Sequence, residues 1–203
     1  MELETFIKVF LVCLLGAMSP GPSWVLITNN ALFKGKISGY ITSIGHGLGI
    51  ATYAIIANFS MGLIIKSNIF VFNSIKILSI FFLIYLGYKS ISSKTIKFER
   101  KNIPGKFKSF IEGFGLAILN PKVLIWFIAI YSQFMSPNNE LIFNIILIIT
   151  AGIVDMIWYC LLASIVVTVG FFSFIKNKID IFQRIIGMIF IIIGLLIFFG
   201  MIV

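Results

Sequence analysis

The sequence predicts an all-α integral membrane protein, with six transmembrane helices that form two inverted three-helix repeats. Three observations predict this class: an extremely apolar composition, basic residues in alternate loops, and proline motifs that interrupt two of the apolar segments. Of the 203 residues, 60% are hydrophobic and 11% are charged, and the mean hydropathy is +1.10. A soluble domain of this size does not need so much apolar surface, so we expect residues 1–203 to form a single transmembrane domain.

Six apolar segments are long enough to cross about 30 Å of hydrocarbon at about 1.5 Å per residue. They cover residues 5–28, 38–65, 70–91, 109–134, 141–168 and 183–202. A basic loop at about 92–109 divides the chain into repeat one, about 1–91, and repeat two, about 110–203. A duplicated unit of three spans must insert in opposite orientations, which gives the inverted repeat of many transporters.

The basic residues predict the topology. The net charge is +9, and most of it lies between segments one and two, three and four, and five and six. The residues concerned are Lys34, Lys36, Lys89, Lys94, Lys97, Arg100, Lys101, Lys106, Lys108, Lys176, Lys178 and Arg184. Because cytoplasmic loops are the basic ones, both termini are predicted to be extracytoplasmic. We interpret this charge as contact with the lipid bilayer, and we expect no binding of nucleic acid.

Residues 19–24, with the sequence SPGPSW, interrupt the first apolar segment. Proline removes a backbone donor and clashes with the preceding turn, and lipid cannot satisfy the backbone groups that are freed. We therefore expect helix 1 to be broken here, against protein or a water-filled cavity. The simpler alternative is a loop that ends a short first helix, although residues 5–18 alone are too short to span the hydrocarbon.

A second proline motif, at residues 119–122 (LNPK), interrupts helix 4. An overlay of Pro20 on Pro121 brings Phe6 to Phe107, near the start of segment four, which supports the repeat. Paired interruptions in two halves of a chain indicate a transporter's binding site. The predicted substrate-binding residues are Ser19, Pro20, Gly21, Pro22, Ser23, Asn120, Pro121 and Lys122.

Three ionisable side chains lie deep in the apolar segments: His46, Lys122 and Asp155. Charges inside a membrane segment are costly, and such residues are functional candidates by default. Lys122 and the two half-helix amino termini suit a substrate carboxylate, whereas Asp155 suits a substrate ammonium or a coupling proton. His46 is either a second proton carrier or a hydrogen-bonded packing residue. Lys122 and Asp155 also have a simpler interpretation, in which they only neutralise one another.

The two cysteines, Cys13 and Cys160, lie in apolar runs without metal-ligating neighbours, so we expect no metal and no cofactor. They leave open an alternative function, a membrane thiol–disulfide electron carrier, which needs a reactive dithiol close enough to bridge. A non-transporting membrane protein is a third interpretation, although it needs neither broken helices nor deep charges.

The motifs resemble those of the LysE/RhtB-type family of bacterial amino-acid exporters over nearly the whole chain. The matching features are SPGPSW at 19–24, the basic turn at 33–35, the glycine-rich second helix, LNPK at 119–122, QF at 133–134 and VD at 154–155. The resemblance implies an inner-membrane secondary transporter, not an enzyme, that exports amino acids by alternating access with exchange of protons. Ser79 stands where such proteins usually have glycine, and His46 has no fixed counterpart, so the substrate stays open. Glycine-rich faces also allow a homodimer.

Overall fold

A computed structural model describes residues 3–92, 106–134, 141–168 and 171–200 of the chain. The described residues form eight helices without a strand. In chain order these are α1 (Leu3–Met18), α2 (Pro22–Lys34), α3 (Lys36–Ser67), α4 (Ile69–Ile91), α5 (Lys106–Leu119), α6 (Pro121–Phe134), α7 (Leu141–Val166) and α8 (Phe171–Phe198). Most of the predicted basic loop at 92–109 lies outside the described residues.

Four to six segments of the described chain could cross a membrane. The helices α3, α4 and α7 are each long and apolar enough, as is the part of α8 at Asn177–Phe198. The pairs α1–α2 and α5–α6 qualify only when each pair is taken together, and they bend by 66° and 59° at their breaks. The prediction of a multi-pass, all-helical membrane protein is therefore confirmed.

The helix that contains segment six begins earlier than predicted. We placed its start at residue 183, whereas α8 begins at Phe171. The sequence from 171 to 182 mixes charged and apolar residues, which lowered its hydropathy below that of a span. Ile179 in this stretch is only 1% exposed, so packing against the bundle extends the helix beyond its apolar part.

The bundle has an apolar outside and a partly polar inside. Leu63, Phe70 and Leu78 on α3 and α4 are each more than 65% exposed, which suits a surface that faces lipid. The interior instead holds many hydroxyl, amide and charged side chains, among them Ser19, Ser23, Asn30, Thr42, His46, Asn58, Ser79, Asn120 and Asp155. A polar interior in an apolar shell indicates that the interior, and not the surface, carries the specific chemistry.

Two helix pairs cross at glycines, and the contacts at both crossings are reciprocal. A Cβ atom built on Gly87 would lie 2.5 Å from the carbonyl oxygen of Gly187, and one on Gly187 would lie 2.6 Å from that of Gly87. Gly47 and Gly152 face each other's carbonyl oxygens in the same way, at 2.9 and 3.2 Å. Glycine is required at such crossings because any side chain would push the backbones apart.

The chain directions are opposite in both pairs. Along α4 and α8, Ser90 bonds the carbonyl oxygen of Gln183, whereas the earlier residue Ile84 lies against the later residue Gly194. Along α3 and α7, Tyr40 bonds Ser164 whereas the later residue His46 bonds the earlier residue Asp155, so the two helices are antiparallel. The helix α5 lies against the other side of α3, where a Cβ atom on Gly113 would lie 2.1 Å from the carbonyl oxygen of Thr42. These backbone-to-backbone contacts hold α3 in the centre, between α5 and α7.

Candidate functional site

The two helix breaks meet at a small cavity in the middle of the bundle. Its volume is about 60 Å³, and it lies between the α1–α2 break, the α5–α6 break and the central helices α3 and α7. The lining residues are Cys13, Gly16, Ala17, Ser19, Gly21, Pro22, Ser23, His46, Ile50, Asn120, Lys122, Val123, Trp126, Phe127, Ala151, Asp155, Tyr159 and Phe190. The two proline motifs therefore belong to one site, although they are far apart in sequence.

At the first break, the chain turns through Ser19–Gly21 and starts α2 with Pro22. Pro22 suits a first helical position, where its missing N–H would have had no partner in any case. The amide of Ser19 donates to the carbonyl oxygen of Gly16 at 3.2 Å, and the Trp24 indole N–H donates to that of Ala17 at 3.3 Å. The carbonyl groups that the break frees thus find partners inside the protein.

The second break is built in the same way with other side chains. Asn120 caps the start of α6, because its side-chain oxygen accepts from the amide of Lys122 at 3.0 Å. The carbonyl oxygen of Ile118 accepts from the Tyr53 hydroxyl, which belongs to α3. An overlay of Pro20 on Pro121 places Ala17 on Ile118, so an aromatic side chain satisfies the corresponding carbonyl group at each break.

His46 links three elements of the site through both ring nitrogens. Its Nδ1 lies 2.7 Å from Oδ2 of Asp155 on α7, and its Nε2 lies 2.8 Å from Oγ of Ser23 at the start of α2. The ring of Tyr159 lies edge-on to the imidazole, with 4.9 Å between the centroids. Ser23, His46 and Asp155 are each at most 6% exposed, so they form a buried hydrogen-bonded chain next to the cavity.

The side chain of Lys122 starts at the second helix break and reaches across to the first one. Its Nζ donates to Oγ of Ser19 at 2.6 Å, and it lies 3.6 Å from the position that a Cβ atom on Gly21 would take. In the described part of the chain, Asp155 pairs with His46 and Lys122 bonds Ser19. In this conformation the lysine and the aspartate therefore do not neutralise one another by direct contact, as our simpler interpretation had it.

The structure brings most of the predicted site residues to the cavity. Ser19, Gly21, Pro22, Ser23, His46, Asn120, Lys122 and Asp155 all line it. Pro20 stands at the first break and is not among the described lining residues, and Pro121 begins α6 at the second break. Their role in substrate binding, like that of the other predicted site residues, stays a prediction.

Sequence reasoning missed the apolar wall of the cavity and the aromatic contact of His46. The wall consists of Ile50, Val123, Trp126, Phe127, Ala151 and Phe190. Trp126 covers Gly16 so closely that a Cβ atom there would lie 2.7 Å from the indole. Apolar and aromatic residues are abundant in every segment of this chain, so no sequence signal separates these wall residues from ordinary packing residues.

The cavity is too small for an amino acid in this conformation. A volume of about 60 Å³ has room for only a few water molecules, because one water molecule needs about 10–15 Å³ of such cavity volume. Binding of any larger solute therefore requires the helices around the cavity to separate or the Trp126 and Lys122 side chains to turn away.

Both cysteines are free thiols. Cys13 lines the cavity, whereas Cys160 lies on α7. A search of the described residues finds no group of three or more histidine, cysteine or acidic side chains that could hold a metal ion.

Comparison with known proteins gives a consistent result. The family model for LysE type translocators matches residues 14–200. The uncharacterised membrane protein YrhP of Bacillus subtilis is 30% identical over 186 residues, which cover 84% of this chain and 87% of YrhP. The leucine efflux proteins of Salmonella typhimurium and Salmonella typhi are 25% identical over 160 residues, which cover 75% of this chain and 73% of theirs. No solved structure matches the chain.

Proposed function

Because the chain belongs to the LysE type translocator family, we propose that it exports neutral amino acids with apolar side chains in exchange for protons. The transport site is the cavity between the two helix breaks. The observation that carries the proposal is the separation of charges around this cavity, with Lys122 on one side and the hydrogen-bonded pair of His46 and Asp155 on the other.

The carboxylate of the substrate binds at Lys122. The ammonium group is already within 2.6 Å of the Ser19 hydroxyl and can exchange this partner for an anion. The amino termini of α2 and α6 start at the same cavity, and the first N–H groups of a helix favour negative charge. A carboxylate therefore finds a cation and two helix termini at one place.

The apolar wall accommodates the side chain of the substrate. Ile50, Trp126 and Phe127 offer an apolar surface of the kind that leucine or a similar residue would bury. The names of the leucine efflux relatives agree with this class. Lysine and arginine are disfavoured, because Lys122 repels a second cation and His46 already occupies the carboxylate of Asp155.

The chain of Ser23, His46 and Asp155 carries the proton. The His46 imidazole lies between a carboxylate and a hydroxyl group, at 2.7 and 2.8 Å, so its two ring nitrogens connect them in one hydrogen-bonded path. A proton on this chain changes the charge next to the substrate's amino group. Binding of substrate and binding of a proton therefore compete, which is the condition for exchange of one for the other.

The order serine, histidine, aspartate also occurs in hydrolases, where the serine is a nucleophile. The family match favours transport over both hydrolysis and the thiol–disulfide alternative based on Cys13 and Cys160.

Alternating access follows from an inverted repeat. The reciprocal contacts of Gly87 with Gly187 and of Gly47 with Gly152 are those that a two-fold axis between the halves would produce. The equivalent helices α3 and α7 run antiparallel, which an axis in the membrane plane requires. We place the basic loops in the cytoplasm and both termini outside the inner membrane.

The test is export from proteoliposomes loaded with a panel of labelled amino acids, with and without an imposed pH gradient. We expect release of leucine and similar neutral amino acids to accelerate when the gradient is imposed, with little release of lysine or arginine. Gradient-independent release would refute the proton exchange. Preferential release of cationic amino acids would refute the substrate class, and release of none from folded protein would refute export.

A further inference from the structure

A second polar cluster lies at the far end of α2, away from the cavity. The carboxylate of Glu112 on α5 accepts from Nζ of Lys34 at 2.8 Å and from the side-chain amide of Asn30 at 3.0 Å. The same amide nitrogen also lies 2.8 Å from the hydroxyl oxygen of Thr42 on α3. Three bonds therefore fasten the last turn of α2 to the two helices beside it.

Three of the four side chains of this cluster are buried in the bundle, and the fourth, Glu112, is 26% exposed. Thr42 is 0% exposed and Asn30 is 2% exposed, and the Lys34 side chain is 5% exposed. Asn30 lies about 12 Å, and Lys34 about 18 Å, from the start of α2 at the cavity, counting about 1.5 Å per residue. The cluster thus lies between the cavity and the side of the molecule where the basic loops are predicted.

The helix α2 is delimited by a glycine at each end. Gly21 is extended at the helix break, and Gly35 has a φ of +93°, a conformation that favours glycine. The helix contacts α3, α5 and α7 but is bent away from α1 by 66°. A short helix between two glycines can turn as a unit once its bonds to α3 and α5 are broken.

The corresponding place in the other half, at the end of α6, is held by neutral hydrogen bonds among the described residues. The side-chain amide of Gln133 donates to Oγ of Ser79 on α4 at 3.0 Å and to the carbonyl oxygen of Lys76 at 3.3 Å. The overlays of Pro20 on Pro121 and of Gly47 on Gly152 place Asn30 on Tyr131 and Thr42 on Leu147. The Tyr131 hydroxyl donates to the carbonyl oxygen of Leu147 at 2.8 Å, and both residues are at most 2% exposed. The two ends of the path through the cavity therefore have equivalent contacts, but the described part of only one includes an ion pair.

We propose that α2 is the gate on the basic-loop side of the cavity and that Glu112 is the latch that holds it shut through Lys34 and Asn30. The proposal rests on the proposed transport function only in that the gate is taken to control the passage of substrate. The movement itself is a property of the fold and can be measured without substrate. Opening this end requires that an ion pair with a buried lysine be broken, whereas the described residues of the other end are joined by neutral hydrogen bonds.

The native Cys13 provides the measurement, because it lines the cavity. In a Cys160→Ser background it is the sole thiol of the sequence. Membrane vesicles of known orientation are treated with a charged, membrane-impermeant methanethiosulfonate, added either on the basic-loop side or on the opposite side. The rate of Cys13 modification then reports how often the cavity is open to each side, without a substrate or a gradient.

We expect Glu112→Gln to raise the rate of Cys13 modification from the basic-loop side about tenfold and to leave the rate from the opposite side unchanged. The double variant Lys34→Glu/Glu112→Lys restores the ion pair with its charges exchanged, and we expect it to return the rate toward that of the parent. Glu4→Gln is the matched control, because it removes an ion pair of the same 2.8 Å length that is exposed on α1.

An unchanged rate in a folded Glu112→Gln protein would overturn the proposal. So would an equal rise from both sides, since that would indicate general loosening of the bundle. If Glu112→Gln leaves the rate of Cys13 modification unchanged and the protein still exports amino acids, the gate is refuted and the proposed function stands. Absence of export with the expected change in Cys13 modification would refute the function and leave the gate standing.

Discussion

The two helix breaks have the same backbone arrangement but differ in the side chain that each presents to the cavity. Each ends a short helix, frees a carbonyl group that an aromatic side chain satisfies, and starts a second helix with proline near the cavity. The first break offers Gly21 without a side chain, and the second offers Lys122 at the corresponding position. The lysine then extends over that glycine to Ser19, so the difference between the breaks is what allows their contact.

The central helices α3 and α7 also present different side chains to the cavity at corresponding positions. The overlay of Gly47 on Gly152 places His46 on Ala151 and Ile50 on Asp155, and all four residues line the cavity. The hydrogen-bonded pair of His46 and Asp155 thus has an apolar counterpart in Ile50 and Ala151. Under the proposed inverted repeat, identical chemistry in the two halves would surround the substrate with the same groups twice. The proposed amino-acid substrate needs different groups for its two ends.

The strongest test of this asymmetry is Asp155→Asn. If the carboxylate carries the coupling proton, gradient-driven export should fall by about 100-fold or more, in line with the contribution of a positioned proton-transfer group. Exchange of labelled for unlabelled amino acid without a gradient should persist. Ile50→Val, at the corresponding position of the other half, should leave both rates nearly unchanged, and an equal loss in the two variants would contradict the assignment.

The next test compares the corresponding positions Lys122 and Gly21. Lys122→Gln should weaken amino-acid binding by roughly 10- to 100-fold, because a hydrogen bond to a charged group contributes about 1.5–3 kcal/mol. Lys122→Arg keeps the charge and should retain more of the affinity. Gly21→Ala adds a methyl group at an ordinary 3.6 Å from the lysine and should change affinity little.

Amino-acid amides, which lack the carboxylate, test whether Lys122 recognises that group in particular. They should bind the parent protein weakly and should lose little further affinity in Lys122→Gln, when dissociation constants are measured by calorimetry in detergent. A parallel loss for the amides and the free amino acids would show that Lys122 does not recognise the carboxylate.

The smallest expected effect concerns the glycine crossing of α4 and α8, where the contacts of the two halves are alike. Gly87→Ala and Gly187→Ala each place a methyl group about 2.5 Å from a backbone oxygen, so each should destabilise the protein by about 1–3 kcal/mol, and by similar amounts. The melting temperature in detergent should fall by about 2–4 °C for each kcal/mol. Gly62→Ala has open space around it and serves as the control. Clearly unequal losses would contradict the two-fold relation.

Much of the fold could be predicted from the sequence. Apolar length predicted the spans, because the hydrocarbon core sets a minimum number of residues. The proline motifs predicted where the bent helix pairs of the structure are interrupted, because lipid cannot satisfy the backbone groups that proline frees. These are local constraints, and they can be read one segment at a time. That the cavity between the two breaks is the transport site stays a prediction.

The partners inside the site could not be predicted in this way. His46 contacts Asp155 across 109 positions, and nothing near either residue distinguishes that pairing from a pair of Asp155 with Lys122. The start of α8 was missed for a related reason, because Ile179 is buried by packing that hydropathy does not register. Contacts between distant segments depend on how the helices cross, and the crossings were known only from the glycine contacts of the folded chain.

The aromatic caps of the two breaks have a consequence for biosynthesis. Trp24 follows Ala17 by seven positions, so the first break can be capped as soon as α2 emerges from the ribosome. Tyr53 precedes Ile118 by 65 positions, so the second break enters a membrane in which its cap has already arrived. His46 instead must wait for Asp155 for about 5–20 s at ordinary rates of translation. Both helix breaks of this protein can therefore be capped during synthesis before Asp155 is available to His46.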